Sequence, residues 1–322
     1  NHPCFSYCCT QIFYFKSMKI TRESIKKILI FFATYNEVDN IENLLKCTFE
    51  HLPGQEVLVV DDDSPDGTGD KLDIFSQNNK HVTVIHRPRK LGLGTAHKLA
   101  MQYAIKNKFD ILITMDADFS HHPEYLPTFV DLMNDNDFVI GSRYAKGGGL
   151  GYGFFRRSLS ITANILTRHM LKIPLKECTT SYRGFQVSLL KKINLNSIRS
   201  EGYSFFIESI YIIHQLTDKI TEFPIFFYDR QSGNSKISKI EIVKSIFCLG
   251  KLFYKRMFDD KCHQDAYNSS IPFIPCPNCN SPYQSRVAAE VIVDQKDQIN
   301  EQSNENFQCL QCGNMFLKHF QS

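Results

Sequence analysis

Five short apolar runs, each opening into a polar loop and two of them followed by a helical pattern, constrain this chain more than any other feature. ILIFFATY (28–35), EVLVVDD (56–62), VTVIH (82–86), DILITMDAD (110–118) and DFVIG (137–141) read as strands. Between them, Asn36 to Leu52 and Gly94 to Asn107 carry helical spacing, the first with Ile41, Leu44 and Leu45 on its apolar side. Near-continuous apolar strands separated by helices predict a mostly parallel sheet covered on both faces, an α/β fold of Rossmann-like kind. Such sheets gather their chemistry at the carboxyl ends of the strands. The loops there hold Asn36/Glu37, Asp61/Asp62/Asp63, Arg87/Arg89 and Asp116/Asp118, so the site is expected among them.

From Gly147 to Arg230 the pattern loosens into a glycine run, a helix near Phe155–Leu171, and strand-like YRGFQV and ITEFPIFFY. Residues 238–258 read as one helix. Ile240, Val243, Phe247 and Leu249 recur near helical spacing, with Ile246 and Phe253 beside them. Lys239, Lys244, Lys251, Lys255 and Arg256 stand against a single acid, Glu241. Two readings of this segment stand side by side: a last helix packed on the core, or an interfacial helix lying on anionic lipid.

The chain of 322 residues has room for one large domain and a small module, and 43% apolar residues can fill its core. A net charge of +3 is too small to point to nucleic acid, and no such partner is expected. No run approaches the ~18 uncharged apolar residues of a spanning helix. Cys4 to Phe15 is too short for one, contains Ser6, Thr10 and Gln11, and has no basic leader. Residues 1–27 are set outside the fold as an N-terminal extension. Within it, residues 1–17 either lie upstream of a start at Met18 or form a disordered tail. Eleven cysteines without a secretion signal argue for a reducing compartment, where grouped cysteines bind metal more often than they pair.

Asp116 and Asp118 sit two apart at the end of an apolar strand. Alternate residues of an extended chain face the same way, so both carboxylates can meet one hard cation. That cation could bridge a diphosphate and neutralise a leaving nucleotide. The plainer alternative is a pair of capping acids before Pro123. In VVDDDSPDGTGD (59–70), Asp62 is placed to face a nucleoside while Pro65 to Gly67 shape a turn. GLGTAH (92–97) sets two glycines at a helix start, which suits phosphate or an ordinary cap. His121 and His122 are read as loop structure ahead of ligation, and Glu208 as structural at least as readily as a base.

The C-terminal composition differs. Cys276-Pro-Asn-Cys279 and Cys309-Leu-Gln-Cys312 are two C-x₂-C knuckles with 29 residues between them (280–308). Four thiolates so arranged match a tetrahedral structural Zn²⁺ site. A module this small has little core, so the metal would supply its stability. VAAEVIV (287–293) reads as a strand in the spacer. The tail resembles zinc ribbons in general.

ATYNEVDNI, VVDDDSPDGTGD, RPRKLGLGTAH, MDADFSHHPEYLP, GSRY, RGF, EGYSFFIE and DRQSGNSK follow one another over residues 28–236. In that order they resemble the dolichyl-phosphate mannosyltransferases, inverting family-2 glycosyltransferases of the GT-A fold. The resemblance implies that Tyr35, Glu37 and Asp62 hold the nucleoside of GDP-mannose and that Asp116 and Asp118 hold Mg²⁺ or Mn²⁺. It places Arg143, Arg156 and Ser160 at the acceptor phosphate, a polyprenyl or dolichyl phosphate, and Arg230 and Lys236 at the donor diphosphate. Asp118, Arg143, Arg156 and Arg230 form the catalytic set so implied. Three departures are visible: Ala33 for a usual Pro, Asp63 for a Gly or Asn, and Ser120 where some members place a metal-contacting Gln. The absence of spanning helices after the catalytic domain resembles the soluble subunit of animal enzymes, whose small membrane partners supply the anchor. A cytoplasmic, peripheral place on the endoplasmic reticulum or plasma membrane follows from that likeness.

The chemistry is consistent with these residue types. A phosphate monoester is largely dianionic at neutral pH, its second pKa lying near ~6. It can attack an anomeric carbon without a general base and instead needs cations around both phosphates. The expected organisation is therefore a GT-A domain at 28–237, an amphipathic helix at 238–262 and a zinc-ribbon-like module at 268–322. Transfer of glucose or another sugar to the same lipid is the near alternative. A non-catalytic nucleotide-sugar-binding adaptor that recruits through its ribbon is the distant one.

Overall fold

A computed structural model describes residues 26–151, 153–229 and 239–258, together with three short strands at 284–287, 305–309 and 315–318; for 154–156, 239 and those three strands the description is of the backbone. The first half holds the five expected strands, the two expected helices and two further helices not read from the sequence: β1 (Ile28–Thr34), α1 (Ile41–His51), β2 (Glu56–Asp61), α2 (Thr68–Asn78), β3 (Val82–His86), α3 (Leu93–Lys106), β4 (Ile111–Asp116), α4 (Leu126–Leu132) and β5 (Phe138–Ser142). The two additions are α2 and α4. There follow β6 (Gly149–Leu150), α5 (Phe154–Leu171), β7 (Arg183–Gln186), α6 (Val187–Leu190), α7 (Ser204–Leu216), β8 (Ile220–Pro224), β9 (Phe226–Phe227) and α8 (Lys239–Phe258). The tail contributes β10 (Gln284–Val287), β11 (Glu305–Cys309) and β12 (Met315–Lys318), an antiparallel three-stranded sheet.

The main sheet runs β3-β2-β1-β4-β7-β5-β8. Every pairing in it is parallel except the two made by β7, which is antiparallel to both β4 and β5. Side chains alternate across a strand, so β1 feeds both layers. Leu29 and Phe31 join the core beneath α3 and α7, with Leu99, Phe205 and Ile210. Ile28, Ile30 and Phe32 join the other, with Leu44 and Leu45 of α1 and Phe129 of α4. This two-sided burial is why the strands read as unbroken apolar runs.

Three expectations shift. The helix after β1 starts at Ile41, not Asn36, because Asn36 takes φ 58° and the Glu37 carbonyl accepts from the N–H groups of Asn40 and Ile41 to form a turn first. The run ITEFPIFFY is two strands. The Ile225 N–H donates to the Ser142 carbonyl, ending the main-sheet pairing, and Phe226–Phe227 then pair with β6. In the tail the observed strand is Gln284–Val287, and 288–293 lie outside the described residues.

Helix α8 has two different faces. Leu249 and Leu252 are buried in the α3–α7 core, whereas Ile240, Val243, Phe247, Tyr254 and Phe258 on the other side are exposed. The periodicity that groups Leu249 with Ile240, Val243 and Phe247 therefore merges two stripes.

Candidate active site

The carboxyl ends of β1, β2 and β4 open into a cleft of about 410 Å³, where Tyr35, Glu37, Asp62, Asp116 and Asp118 come together. Lys90 and Gly92 enter from the loop before α3, Gly202 and Tyr203 from the segment before α7, and Glu241 from α8. The acids of residues 61–66 divide their work. Asp61 accepts from Thr34 Oγ1 at 2.9 Å and from Ser64 Oγ at 2.6 Å, and Asp66 accepts from the Thr68 hydroxyl at 2.6 Å and the Val38 N–H at 3.1 Å. Both fix turns, and Asp62 alone of the run lines the cleft.

Asp62 is held by Arg87, whose Nε and Nη2 both reach its Oδ1. Arg87 is itself buried and also donates to Thr95 Oγ1 at 2.7 Å and the Gly92 carbonyl at 3.2 Å. One guanidinium thus ties β2, β3 and the start of α3 together. Burial pushes the Asp62 carboxyl up, and the Arg87 charge offsets only part of that rise. The Lys90 ammonium lies 4.0 Å from the centre of the Tyr35 ring, a cation–π contact at the mouth of the cleft.

The strand that carries the D-x-D pair ends at Asp116, so Asp118 lies in the following loop instead of continuing the pleat. Phe119 adopts φ 60°, a left-handed conformation that costs a non-glycine residue about 1 kcal/mol or more. The loop is held by the Ser120 N–H donating to Asp118 Oδ1 at 3.1 Å and by the Tyr228 N–H donating to the Ser120 carbonyl at 3.2 Å. Asp116 is pinned from two directions. Ser181 Oγ donates to its Oδ1 at 2.5 Å, and its own N–H donates to His121 Nδ1 at 3.1 Å. Because Nδ1 accepts, the His121 proton sits on Nε2, which donates to Thr180 Oγ1 at 2.9 Å. Burial lowers the pKa of this ring, so it stays neutral. His121 is a buried brace whose two nitrogens are both engaged. His122 Nδ1 accepts from the Glu124 N–H at 3.3 Å and caps the next turn.

Carboxylate oxygens are the donors a hard divalent cation prefers. Among the described residues no group of three His, Cys, Asp or Glu side chains forms a complete cage. Asp116 and Asp118 are the two carboxylates of the cleft that could hold such a cation.

At the carboxyl end of β5, Arg143 is held in a two-pronged pair. Nε lies 2.7 Å from Glu177 Oε2 and Nη2 lies 2.9 Å from Oε1, with Thr179 Oγ1 at 3.0 Å. Glu177 is fully buried; burial alone would raise its pKa, but the Arg143 charge and the bonds from Arg143 and Thr179 outweigh it and leave the carboxyl low. Ser160 accepts from the Tyr144 hydroxyl at 2.7 Å, and Tyr144 follows Arg143 directly. Arg156 lies in the first turn of α5, one turn before Ser160, and its side chain is outside the described residues. Arg230, Lys236, Cys276, Cys279 and Cys312 are also outside them, and Cys309 is described only as the last backbone position of β11.

Glu208 accepts from the N–H groups of Arg199 (3.3 Å) and Ser200 (2.9 Å), the structural role open to it. Sequence reasoning missed Lys90, Glu177, Ser181 and Glu241. Lys90 stands in the RPRKLG loop and could have been found by its position after β3. The other three owe their importance to partners across the fold.

A model of the family described as glycosyl transferase family 2 matches residues 29–194. The undecaprenyl-phosphate mannosyltransferase of Micrococcus luteus is 37% identical over 213 residues, covering 66% of this chain and 88% of that protein. The polyprenol monophosphomannose synthase of Mycolicibacterium smegmatis is 35% identical over 227 residues, covering 69% and 85%. Among solved structures, glucosyl-3-phosphoglycerate synthase from Mycobacterium tuberculosis, in complex with Mn²⁺, UDP-glucose and phosphoglyceric acid, aligns with a TM-score of 0.54. It is 19% identical and covers 71% of this chain and 80% of its own, a likeness of fold.

Proposed function

This chain belongs to glycosyltransferase family 2, and we propose on that premise that it transfers mannose from GDP-mannose to a polyprenyl phosphate of dolichyl type with inversion. The observation that carries the reading is the pair Asp116 and Asp118 in a cleft at the carboxyl end of β4, in a chain whose relatives at 35–37% identity are named for mannose transfer to polyprenyl carriers.

Asp116 and Asp118 are the residues that would hold Mg²⁺ or Mn²⁺, and when bound that ion neutralises charge on the leaving diphosphate. Tyr35, Glu37 and Asp62 meet the nucleoside, with Asp62 fixed by Arg87. Arg230 and Lys236 are assigned to the diphosphate. Arg143, Arg156 and Ser160 take the acceptor phosphate. A phosphate that meets Arg143 meets a guanidinium already oriented by Glu177, so little side-chain freedom is lost on binding. The acceptor is ionised before it arrives, and no residue is required to remove a proton. The reaction is an in-line displacement: an acceptor phosphate oxygen forms the bond to the anomeric carbon as the bond from that carbon to the nucleoside diphosphate breaks.

The acceptor is a membrane lipid, and no described helix is long and apolar enough to cross a membrane. Contact with the bilayer is assigned to the exposed stripe of α8, apolar with lysines beside it, with small anchor subunits as further partners on the cytoplasmic face. In the tail, Cys276, Cys279, Cys309 and Cys312 are assigned one structural Zn²⁺. Metal analysis of protein purified under reducing conditions should find about one equivalent, lost on truncation after Lys261.

The deciding experiment is a screen of GDP- and UDP-sugars against dolichyl and undecaprenyl phosphate with the lipid product as readout. Mannosyl phospholipid from GDP-mannose is expected. A glucosyl product from UDP-glucose would reassign the sugar, and nucleotide binding with no lipid product under any condition would favour the adaptor reading.

A further inference from the structure

Part of the cleft wall comes from α8. Glu241, in the first turn of that helix, lines the cleft, and its Oε2 accepts a hydrogen bond from the Tyr203 N–H at 3.0 Å. The carboxylate lies against Gly202 so closely that a Cβ there would come within 1.9 Å of Oε2. The same segment meets the start of α3. The Glu201 carbonyl accepts the Gly94 N–H at 2.6 Å, and a Cβ on Gly94 would lie 2.8 Å from that oxygen. Gly94 belongs to the first turn of α3, next to the cleft residues Gly92 and Leu93. An unbroken line of close contacts therefore runs from α8 through Glu241, Gly202–Tyr203 and Glu201 to α3.

The outer side of α8 has a different character. Ile240, Val243, Phe247, Tyr254 and Phe258 form one stripe at helical spacing, each 65–77% exposed. Lys251 and Lys255 flank it; Lys244 reaches back to Glu241, the single acid of the helix, with Nζ 3.4 Å from its Oε1. Because that acid is turned to the cleft wall, the outer side presents apolar groups and cations, which complement an anionic lipid surface.

We propose that Glu241 is a positioning residue that links the two: seating α8 on anionic lipid fixes Glu241, Glu241 fixes the Gly202–Tyr203 wall, and the nucleotide binds more tightly as a result. This rests on the nucleotide-sugar reading of the cleft. By linkage the effect is reciprocal, so a bound nucleotide strengthens lipid binding by the same factor.

The test measures GDP and UDP affinity of the full chain by calorimetry, with Mn²⁺, in the presence of phosphatidylcholine vesicles with or without phosphatidylglycerol. Vesicle co-sedimentation with and without nucleotide is the reciprocal readout. Wild type should bind GDP about tenfold more tightly on anionic vesicles. Glu241→Ala should still sediment with vesicles but lose that enhancement. Glu241→Gln, whose amide oxygen can accept from the Tyr203 N–H, should keep most of it. Gly202→Ala displaces the carboxylate from the opposite direction and should behave like Glu241→Ala, with thermal melts confirming that each variant is folded. Wild-type affinity that is indifferent to anionic lipid overturns the linkage. Full enhancement in both Glu241→Ala and Gly202→Ala overturns Glu241 as its carrier. If wild type binds neither nucleotide under any condition, the nucleotide-sugar reading fails instead.

Discussion

Asp118, in the acidic cleft, is held from two residues away in its own loop, and Asp116 and Asp62 combine near and remote supports, whereas around Arg143 the supports arrive from distant parts of the chain. Ser64 serves Asp61, Thr68 serves Asp66, Ser120 serves Asp118, and His121 braces Asp116. Arg143 instead depends on Glu177, 34 residues later, and the N–H groups of Lys176 and Glu177 depend on Glu222, 46 and 45 residues away. The Cys178 N–H donates to Asn164 Oδ1 on α5. A short loop closes at small entropic cost, so the Asp118 loop can keep its acid in place through turn chemistry. The Arg143 side exists only once β5, β8 and α5 have packed. Removing Asp118 should therefore cost function without costing the fold, and breaking the Arg143–Glu177 pair should cost both.

Asp118→Ala tests the first half most severely. Transfer should fall at least about a thousandfold, while circular dichroism and the melting temperature stay near wild type and Mn²⁺ binding in the presence of GDP disappears. Full turnover of the wild type in EDTA would remove the metal assignment altogether.

Glu177→Ala tests the second half. It strands a nearly buried guanidinium, and breaking such a pair should cost about 3–5 kcal/mol of stability, read from denaturant midpoints. Replacing Arg143 and Glu177 together with Met should recover most of that stability and leave transfer low. Recovered transfer in the double variant would take Arg143 out of the reaction.

Arg156→Lys probes the acceptor without the buried pair. Lysine cannot reproduce the two-pronged guanidinium contact, and transfer should fall by about 2–4 kcal/mol of transition-state stabilisation, roughly 30- to 1,000-fold, with GDP binding little changed. Glu208→Gln should do far less, since Glu208 holds the N–H groups of Arg199 and Ser200. The reverse ranking would favour a hydroxyl acceptor with Glu208 as base.

The smallest effect on stability belongs to Phe247→Ser. Phe247 is 77% exposed, so the fold should change by no more than about 0.5 kcal/mol. Co-sedimentation with anionic vesicles should drop severalfold. Unchanged sedimentation would move the lipid contact away from α8.

The two regions were also unequally legible beforehand. The strands were readable because burial on both faces leaves an apolar run that needs no partner to be named, and the loops of acids then marked the cleft end of the sheet. Asp62, Asp116 and Asp118 were found for that reason. Which neighbouring acids turn away was less visible, since Asp61 and Asp66 have the same side chain as Asp62 and are distinguished by hydrogen bonds from their own turns and from Thr34 and Val38.

By itself the sequence determined the five strands of the first half, the helices that became α1, α3 and α5, and the place of the carboxylates, because these follow from periodicity and residue type along a short stretch of chain. Tertiary structure alone decided that Glu177 orients Arg143, that Ser181 and neutral His121 fix Asp116, that 220–228 breaks into two strands, and that α8 turns one stripe to the core and another outward. Each of these depends on which side chain stands within about 3 Å of which, a distance set by sheet order and helix packing that no local pattern encodes.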